Sequence, residues 1–284
     1  MDTFDADTPR ARPDSAGSEA HGTALVRAAE EAARAAGRVL AEREPGPARV
    51  TGLGAHDVKL DIDVLCERAI TAVIRERFPG DSILSEEAGL APGDGPRTWV
   101  VDPLDGTVNF WHGLPLYCVS VACLSCRPER LDEGWADALE AAAVLVPALG
   151  EMYLAGRDAG ATLNGRPLAL PSEGSLEHAL VCVGIRARDG DLPYSLRMVA
   201  TFAAEAQKVR SLGFAAGELA FLAAGRIDAL VLRGTNLWDF CAGALLVREA
   251  GGILTAVPAP AHGWQVAASH AGIHDGVAAL AGSP

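Results

Sequence analysis

At Pro79-Gly80-Asp81 the hydrophobic period of the chain changes, and with it the kind of structure the sequence can build. Upstream, Leu25, Val26, Ala29, Ala33, Ala36 and Leu40 recur at three- and four-residue spacing, with Glu30, Glu31 and Arg34 between them. That spacing predicts an amphipathic helix from Thr23, ended by Pro45 and Pro47. A second helix is expected over about Asp63 to Phe78, with Leu65, Ile70, Val73, Ile74 and Phe78 as its apolar positions. Downstream, short apolar runs dominate: SILS, TWVVD, YCVSVACLS, AAAVLVP, EMYLA and ALVCVGI. These read as strands. Between them CRPERLDEGWADALE (126–140) reads as a charged surface excursion. Helices return over 193–207, over 215–224 and from Asp239 to Ala250, the last closed by Gly251-Gly252. VRSLG, IDALVL, GILTA and WQVAASH add further strands, and a short terminal helix follows. Strand-dense stretches lie next to each other, without the strict alternation of a doubly wound sheet. The order implies an α+β chain of layered helices and mixed sheets.

A length of 284 residues suits one large unit or two subdomains sharing a core. Residues 1–20, rich in Asp, Pro, Ser, Gly and Ala without apolar periodicity, are expected to form a mobile tail. Residues 21–284 form the expected single unit, with an N-terminal half over about 21–170 and a C-terminal half over about 171–284. Against 37 Asp and Glu stand 24 Lys and Arg, a formal net charge of −13. That balance argues against a sequence-independent nucleic-acid binder, whose footprint would be basic. It leaves an anionic small substrate open, because a bound metal inverts the local sign. No apolar run reaches the roughly 18–20 residues of a bilayer span, and the N-terminus lacks a signal-peptide pattern, so a cytoplasmic protein without a membrane partner is expected. Six scattered cysteines include a single C-x-x-C, Cys123 and Cys126, inside an apolar run. Buried free thiols are the expectation. The histidines show no metal-ligand spacing, and no Ser-His-Asp or Cys-His arrangement stands out.

Chemistry is concentrated in Trp99-Val-Val-Asp102-Pro-Leu-Asp105-Gly-Thr107-Val-Asn-Phe110. An apolar strand delivers Asp102 at its end, where Pro103 is expected to stop sheet pairing and force a turn. Asp105 follows three residues later, so two carboxylates can point at one space. Hard divalent cations take such oxygen ligands, and Mg²⁺ combines carboxylates with waters and substrate phosphate. Gly106 permits a close backbone approach. A helix starting near Thr107 would turn free N–H groups toward an anion. Glu86-Glu87 follow SILS, where a strand end would place them. Asp57 precedes a short extended segment, Asp61 and Asp63 follow it, and Asp63 also suits a helix cap. Asp239 opens a late helix.

Taken in order, Asp57-Val-Lys-Leu-Asp-Ile-Asp63, Ser85-Glu86-Glu87, Asp102-Pro-Leu-Asp105-Gly-Thr107 and Trp238-Asp239-Phe-Cys-Ala-Gly resemble the inositol monophosphatase family of lithium-sensitive, metal-dependent phosphatases. The likeness runs from Thr23 to the C-terminus, with Glu151-Met-Tyr-Leu and Asn164-Gly165 also fitting. It implies an αβαβα sandwich, a homodimer, and phosphate monoester hydrolysis with two or three Mg²⁺. By the resemblance, Glu86, Asp102 and the carbonyl of Leu104 would hold the first metal, and Asp102, Asp105 and Asp239 the second. Glu86 would reach a third through water. Thr107 and Asp57 would orient and deprotonate the attacking water, and the N–H groups of Gly106 and Thr107 would grip the phosphate.

Two positions depart from the family. Lys59-Leu60 stand where a threonine is frequent. Inositol-specific members tend to carry an acid seven positions before the W-D aspartate, and here that residue is Leu232, followed by Arg233. The expected substrate is an inositol or sugar monophosphate. Histidinol phosphate, fructose 1,6-bisphosphate and 3′-phosphonucleotides are alternatives, and a catalytically silent phospholigand-binding homologue is the non-enzyme alternative.

Overall fold

The structure, a computed structural model, describes residues 15–43, 50–53, 58–186, 191–259 and 263–282. Helix α1 (Ser15–Ala41) leads into a hairpin of β1 (Val50–Leu53) and β2 (Val58–Leu60), followed by α2 (Asp61–Arg77). The entry to α2 is fixed by Asp63, whose Oδ2 accepts the Leu60 N–H at 2.7 Å. An eight-stranded sheet comes next: β3 (Ser82–Ser85), β4 (Gly89–Ala91), β5 (Thr98–Asp105), β6 (Cys118–Leu124), β7 (Leu139–Val146), β8 (Glu151–Gly156), β9 (Gly160–Leu163) and β10 (Arg166–Pro167). Their order is β10-β9-β8-β7-β6-β5-β3-β4, antiparallel except where β3 runs parallel to β5. Short helices α3 (Thr107–Trp111) and α4 (Leu131–Ala138) follow β5 and β6.

A second sheet holds β11 (Leu180–Val183), β12 (Lys208–Arg210), β13 (Ala229–Thr235), β14 (Gly252–Pro258) and β15 (Trp264–His270), in the order β12-β11-β13-β15-β14. Here β11 is parallel to both neighbours and β15 antiparallel to both of its own. Its helices are α5 (Asp191–Glu205), α6 (Ala215–Ala223), α7 (Leu237–Glu249) and α8 (His274–Ala281).

Strand alternation explains the stacking. Along β6, Val119, Val121 and Cys123 join one core with Leu25, Ala29, Ile70 and Ile74 of α1 and α2. Cys118, Ala122 and Leu124 join a second core with Leu219, Phe240 and Leu245 of α6 and α7. Both faces are buried, which is why the run is apolar throughout rather than alternating. The second sheet repeats the device, sending Leu230 and Leu232 of β13 toward α6 and α7, and Ala229 and Val231 toward Phe202 and Val277 of α5 and α8. The fold is therefore an αβαβα sandwich, with α6 and α7 as the middle layer. All six cysteines are buried and free. Among the described residues, no helix is long and apolar enough to cross a membrane.

Several expectations change. Helix α1 begins at Ser15, inside the segment expected to be a tail, while residues 1–14, Pro45 and Pro47 lie outside the described residues. The 126–140 segment is not a surface excursion: α4 drives Leu131, Trp135 and Ala138 into the core. Asp132 and Asp137 are exposed while Trp135 packs edge-on against Phe240, with ring centroids 5.1 Å apart. Pro103 does not end its strand, because β5 continues to Asp105 through an irregularity in its pairing with β6.

Candidate active site

That irregularity builds the site. Asp102 pairs with Ser120 and Asp105 with Cys118, so three steps along β5 match two along β6. One extra residue on β5 makes a β-bulge, a place in a sheet where proline is tolerated and side chains are re-aimed. Asp102 is buried, its Oδ1 accepting the Leu104 N–H at 3.1 Å. Gly106 then turns the chain at φ +88°, where a Cβ would lie 2.7 Å from the Leu116 carbonyl oxygen. No side chain fits there. Helix α3 starts at Thr107, whose hydroxyl donates to the Leu104 carbonyl at 2.9 Å.

Other elements supply the remaining acids. Glu86 follows β3 in a turn held by Glu67 of α2, whose Oε2 accepts the Ser85 hydroxyl at 2.5 Å and the Ala88 N–H at 3.0 Å. Asp239 is the third residue of α7. Its Oδ2 closes a capping box with the Asn236 N–H at 2.8 Å and accepts the Thr235 hydroxyl at 2.7 Å. Arg186 adds a third contact to the same oxygen at 3.1 Å. Asp105 caps α6: its Oδ1 accepts the Ala215 N–H at 3.1 Å and its Oδ2 the Ala216 N–H at 2.7 Å. A carboxylate is favoured there by the positive helix end. Asn109 joins the two halves of the molecule, its Nδ2 donating to Leu116 at 2.7 Å and to Leu212 at 2.8 Å.

Glu86, Asp102, Asp105 and Asp239 thus meet in one cleft, and the protonation of the first three records the crowding. Burial first, then Glu86, Asp105 and Asp239, holds the Asp102 carboxyl well above the usual carboxylate range. Asp105 is pushed up to about 7 by burial and then by Asp239. Glu86 shifts in the same direction through desolvation, then repulsion from Asp239 and Glu87, even though it keeps contact with solvent at the rim. Beside them Glu218 is raised to about 7, chiefly by burial. Four like charges in one desolvated place need either protons or cations.

The donor set suits a hard dication in kind: carboxylate oxygens, one backbone carbonyl at Leu104, and no thiolate or imidazole among them. Among the described residues no three acidic, histidine or cysteine groups are yet arranged to hold an ion. Asp105 and Asp239 are engaged instead by amides, a hydroxyl and Arg186.

Of the residues singled out in the sequence, Glu86, Asp102, Leu104, Asp105, Gly106, Thr107 and Asp239 come together here. Asp57 lies outside the described residues. Asp61 is drawn instead toward Arg43, at 3.5 Å. Sequence reasoning missed Glu67, Asn109 and the pocket beyond the acids, which Arg186, Ser211, Gly213, Ala215 and Glu218 line together with Asp105 and Asp239. The available signal for Arg186 was its place just after the apolar run ALVCVGI, at a strand's C-terminal edge.

Known proteins resemble this chain in sequence and fold. The chain is 40% identical over 207 residues to a protein of Pseudomonas aeruginosa named Nus factor SuhB, covering 71% of this chain and 73% of that one. It is 37% identical over 240 residues to an inositol-1-monophosphatase of Mesorhizobium japonicum, covering 82% and 85%. The crystal structure of extragenic suppressor protein suhB from Bartonella henselae superposes with a TM-score of 0.81 at 28% identity, over 92% of this chain and 99% of that one. A model of the inositol monophosphatase family matches residues 23–280, so the chain belongs to that family.

Proposed function

We propose that the protein is a Mg²⁺-dependent phosphomonoesterase that hydrolyses an inositol or sugar monophosphate by direct attack of water. The observation that carries this reading is the meeting of Glu86, Asp102, Asp105 and Asp239 in one cleft beside Thr107. In the proposal Glu86, Asp102 and the Leu104 carbonyl hold one Mg²⁺, and Asp102, Asp105 and Asp239 a second. Glu86 reaches a third through water. Bound Mg²⁺ supplies a water of lowered pKa and offsets charge on the attacking and leaving oxygens. The Thr107 hydroxyl would orient the attacking water, and Asp57 would accept its proton. The N–H groups of Gly106 and Thr107 hold the phosphate, using the unpaired amides of the α3 start. The leaving alcohol lies toward Ser211, Gly213 and Ala215.

Retention of every one of these acids favours catalysis over a silent phospholigand-binding role, although several relatives carry the name of a Nus factor. A cytoplasmic homodimer belongs to the same reading, supported by the family likeness. Phosphate release from a panel of esters, with Mg²⁺ and with a chelator, tests it. The panel includes inositol and sugar monophosphates, histidinol phosphate, fructose 1,6-bisphosphate and a 3′-phosphonucleotide. Mg²⁺-dependent release from the first group supports the proposal. No release from any ester would leave the silent homologue as the reading.

A further inference from the structure

We propose that Arg186 reads a second anionic group, a carboxylate or a second phosphate, on the alcohol part of the substrate. This rests on the phosphatase reading above and specifies its substrate class. The pocket of about 200 Å³ beside Asp105 and Asp239 is walled by the second sheet and the start of α6. Where an inositol-type site would offer an acid to accept sugar hydroxyls, this chain has Leu232, which is buried and apolar. The pocket wall instead carries two guanidinium groups, Arg186 and Arg233.

The two are not equivalent. Arg233 is packed into the fold rather than hydrogen-bonded: its buried Nε lies 3.2 Å from Asp191 Oδ1 as an ion pair, and its guanidinium sits 4.5 Å over the Tyr194 ring. Arg186 is only partly committed. Its Nη1 donates to the Gly234 carbonyl at 2.5 Å and its Nη2 to Asp239 Oδ2 at 3.1 Å. The guanidinium has five N–H groups, and the other three have no partner among the described residues. The side chain is 34% exposed, and the pocket is what it is exposed to. Asp239 pairs with it through one oxygen, which also accepts from Thr235 and Asn236. Guanidinium N–H groups suit the oxygens of a carboxylate or a phosphate, to which charge-assisted bonds are stronger than to a neutral hydroxyl. Gly234 makes room for the arrangement: a Cβ there would lie 2.1 Å from Asp191 Oδ2 and 3.7 Å from Arg186 Cδ. Glu218, the remaining acid of the pocket, is fully buried and accepts the Leu212 N–H at 2.9 Å, so it does not neutralise Arg186.

Two matched pairs of esters test the inference at saturating Mg²⁺. Glycerol 2-phosphate and 2-phosphoglycerate differ by a hydroxymethyl against a carboxylate. Fructose 1-phosphate and fructose 1,6-bisphosphate differ by a second phosphate. The expected result is a kcat/KM about tenfold higher for the doubly anionic member of at least one pair, carried mainly by KM. Preference in the first pair alone identifies a carboxylate, and in the second alone a phosphate. In R186Q the ratio within that pair should fall to near one, and R186K should keep part of it. A ratio near one in the wild-type enzyme for both pairs would overturn the inference, and so would an undiminished preference in R186Q. Turnover of all four esters at equal rates removes only this inference. Turnover of none removes the phosphatase reading and this inference with it.

Discussion

Asp102 has one backbone donor, the Leu104 N–H, against three acidic neighbours. Asp102→Asn should therefore lose turnover to background, because the proposal makes this residue a ligand to two ions. Its melting temperature in chelator should hold or rise, since a repelling charge has gone. Activity within a few-fold of wild type would sink the assignment. Thr107 has a different signature. Its hydroxyl meets the Leu104 carbonyl and no carboxylate among the described residues. Thr107→Ala should lower kcat by about 10²–10⁴, the usual contribution of a positioned acid–base group, with Mg²⁺ affinity nearly unchanged. Asp57→Asn should lose a similar factor, and the double variant little more if the two residues act as one unit. Losses that multiply would separate Asp57 from Thr107. Asp102 was legible because it stands at the end of an apolar run, whereas the roles of Thr107 and Asp57 were implied by the family resemblance, and Asp57 lies outside the described residues. Glu67 and Arg186 were not, because a glutamate inside a helix and an arginine after a strand look like ordinary surface charges until a turn or a pocket meets them.

At the scale of elements, the long helices and the apolar strands followed from period alone, and two of the misreadings, the 126–140 segment and Pro103, have related causes. In 126–140 the charged residues outnumber the apolar ones, so the segment looked solvated. Three residues of α4 decide its place nonetheless: Leu131, Trp135 and Ala138 are all buried. The Trp135 ring packs against both Phe240 of α7 and Trp264 of β15, at 5.1 and 6.0 Å. A short charged segment is thereby tied to the middle layer, and one aromatic outweighs its local composition. Trp135→Ala should cost about 3–5 kcal/mol, the range for removing a large buried aromatic, read from urea denaturation. A loss under about 1 kcal/mol would return the segment to the surface. The bulge in β5 was hidden for a related reason. A proline normally ends a strand, and only the register against β6 reveals that the ladder resumes at Asp105.

For the molecule as a whole, the acidic cleft couples stability to pH. Asp102, Asp105, Glu86 and Glu218 all have folded-state pKa values above the ordinary carboxylate range, with Asp105 and Glu218 near 7. The unfolded chain sheds these protons near pH 4, roughly the unperturbed value for such groups. From about pH 4 to about 8, the value to which Glu86 is raised, the folded state therefore binds more protons than the unfolded one, and stability falls as pH rises. The contribution is fully present below that window and lost above it. His274 opposes the trend, since burial lowers its pKa, but it is one group against four. In chelator the melting temperature should thus be several degrees higher near pH 5.5 than near pH 8.5. Dications bind the ionised carboxylates, so the stabilisation gained from added Mg²⁺ should grow over the same range. Scanning calorimetry at both pH values, with chelator and with Mg²⁺, checks both halves. Equal Mg²⁺ stabilisation at the two pH values would mean that the cleft acids do not ionise to receive the ion. Asp105→Asn should flatten the chelator profile, because it removes a titrating group and relieves its neighbour Asp239.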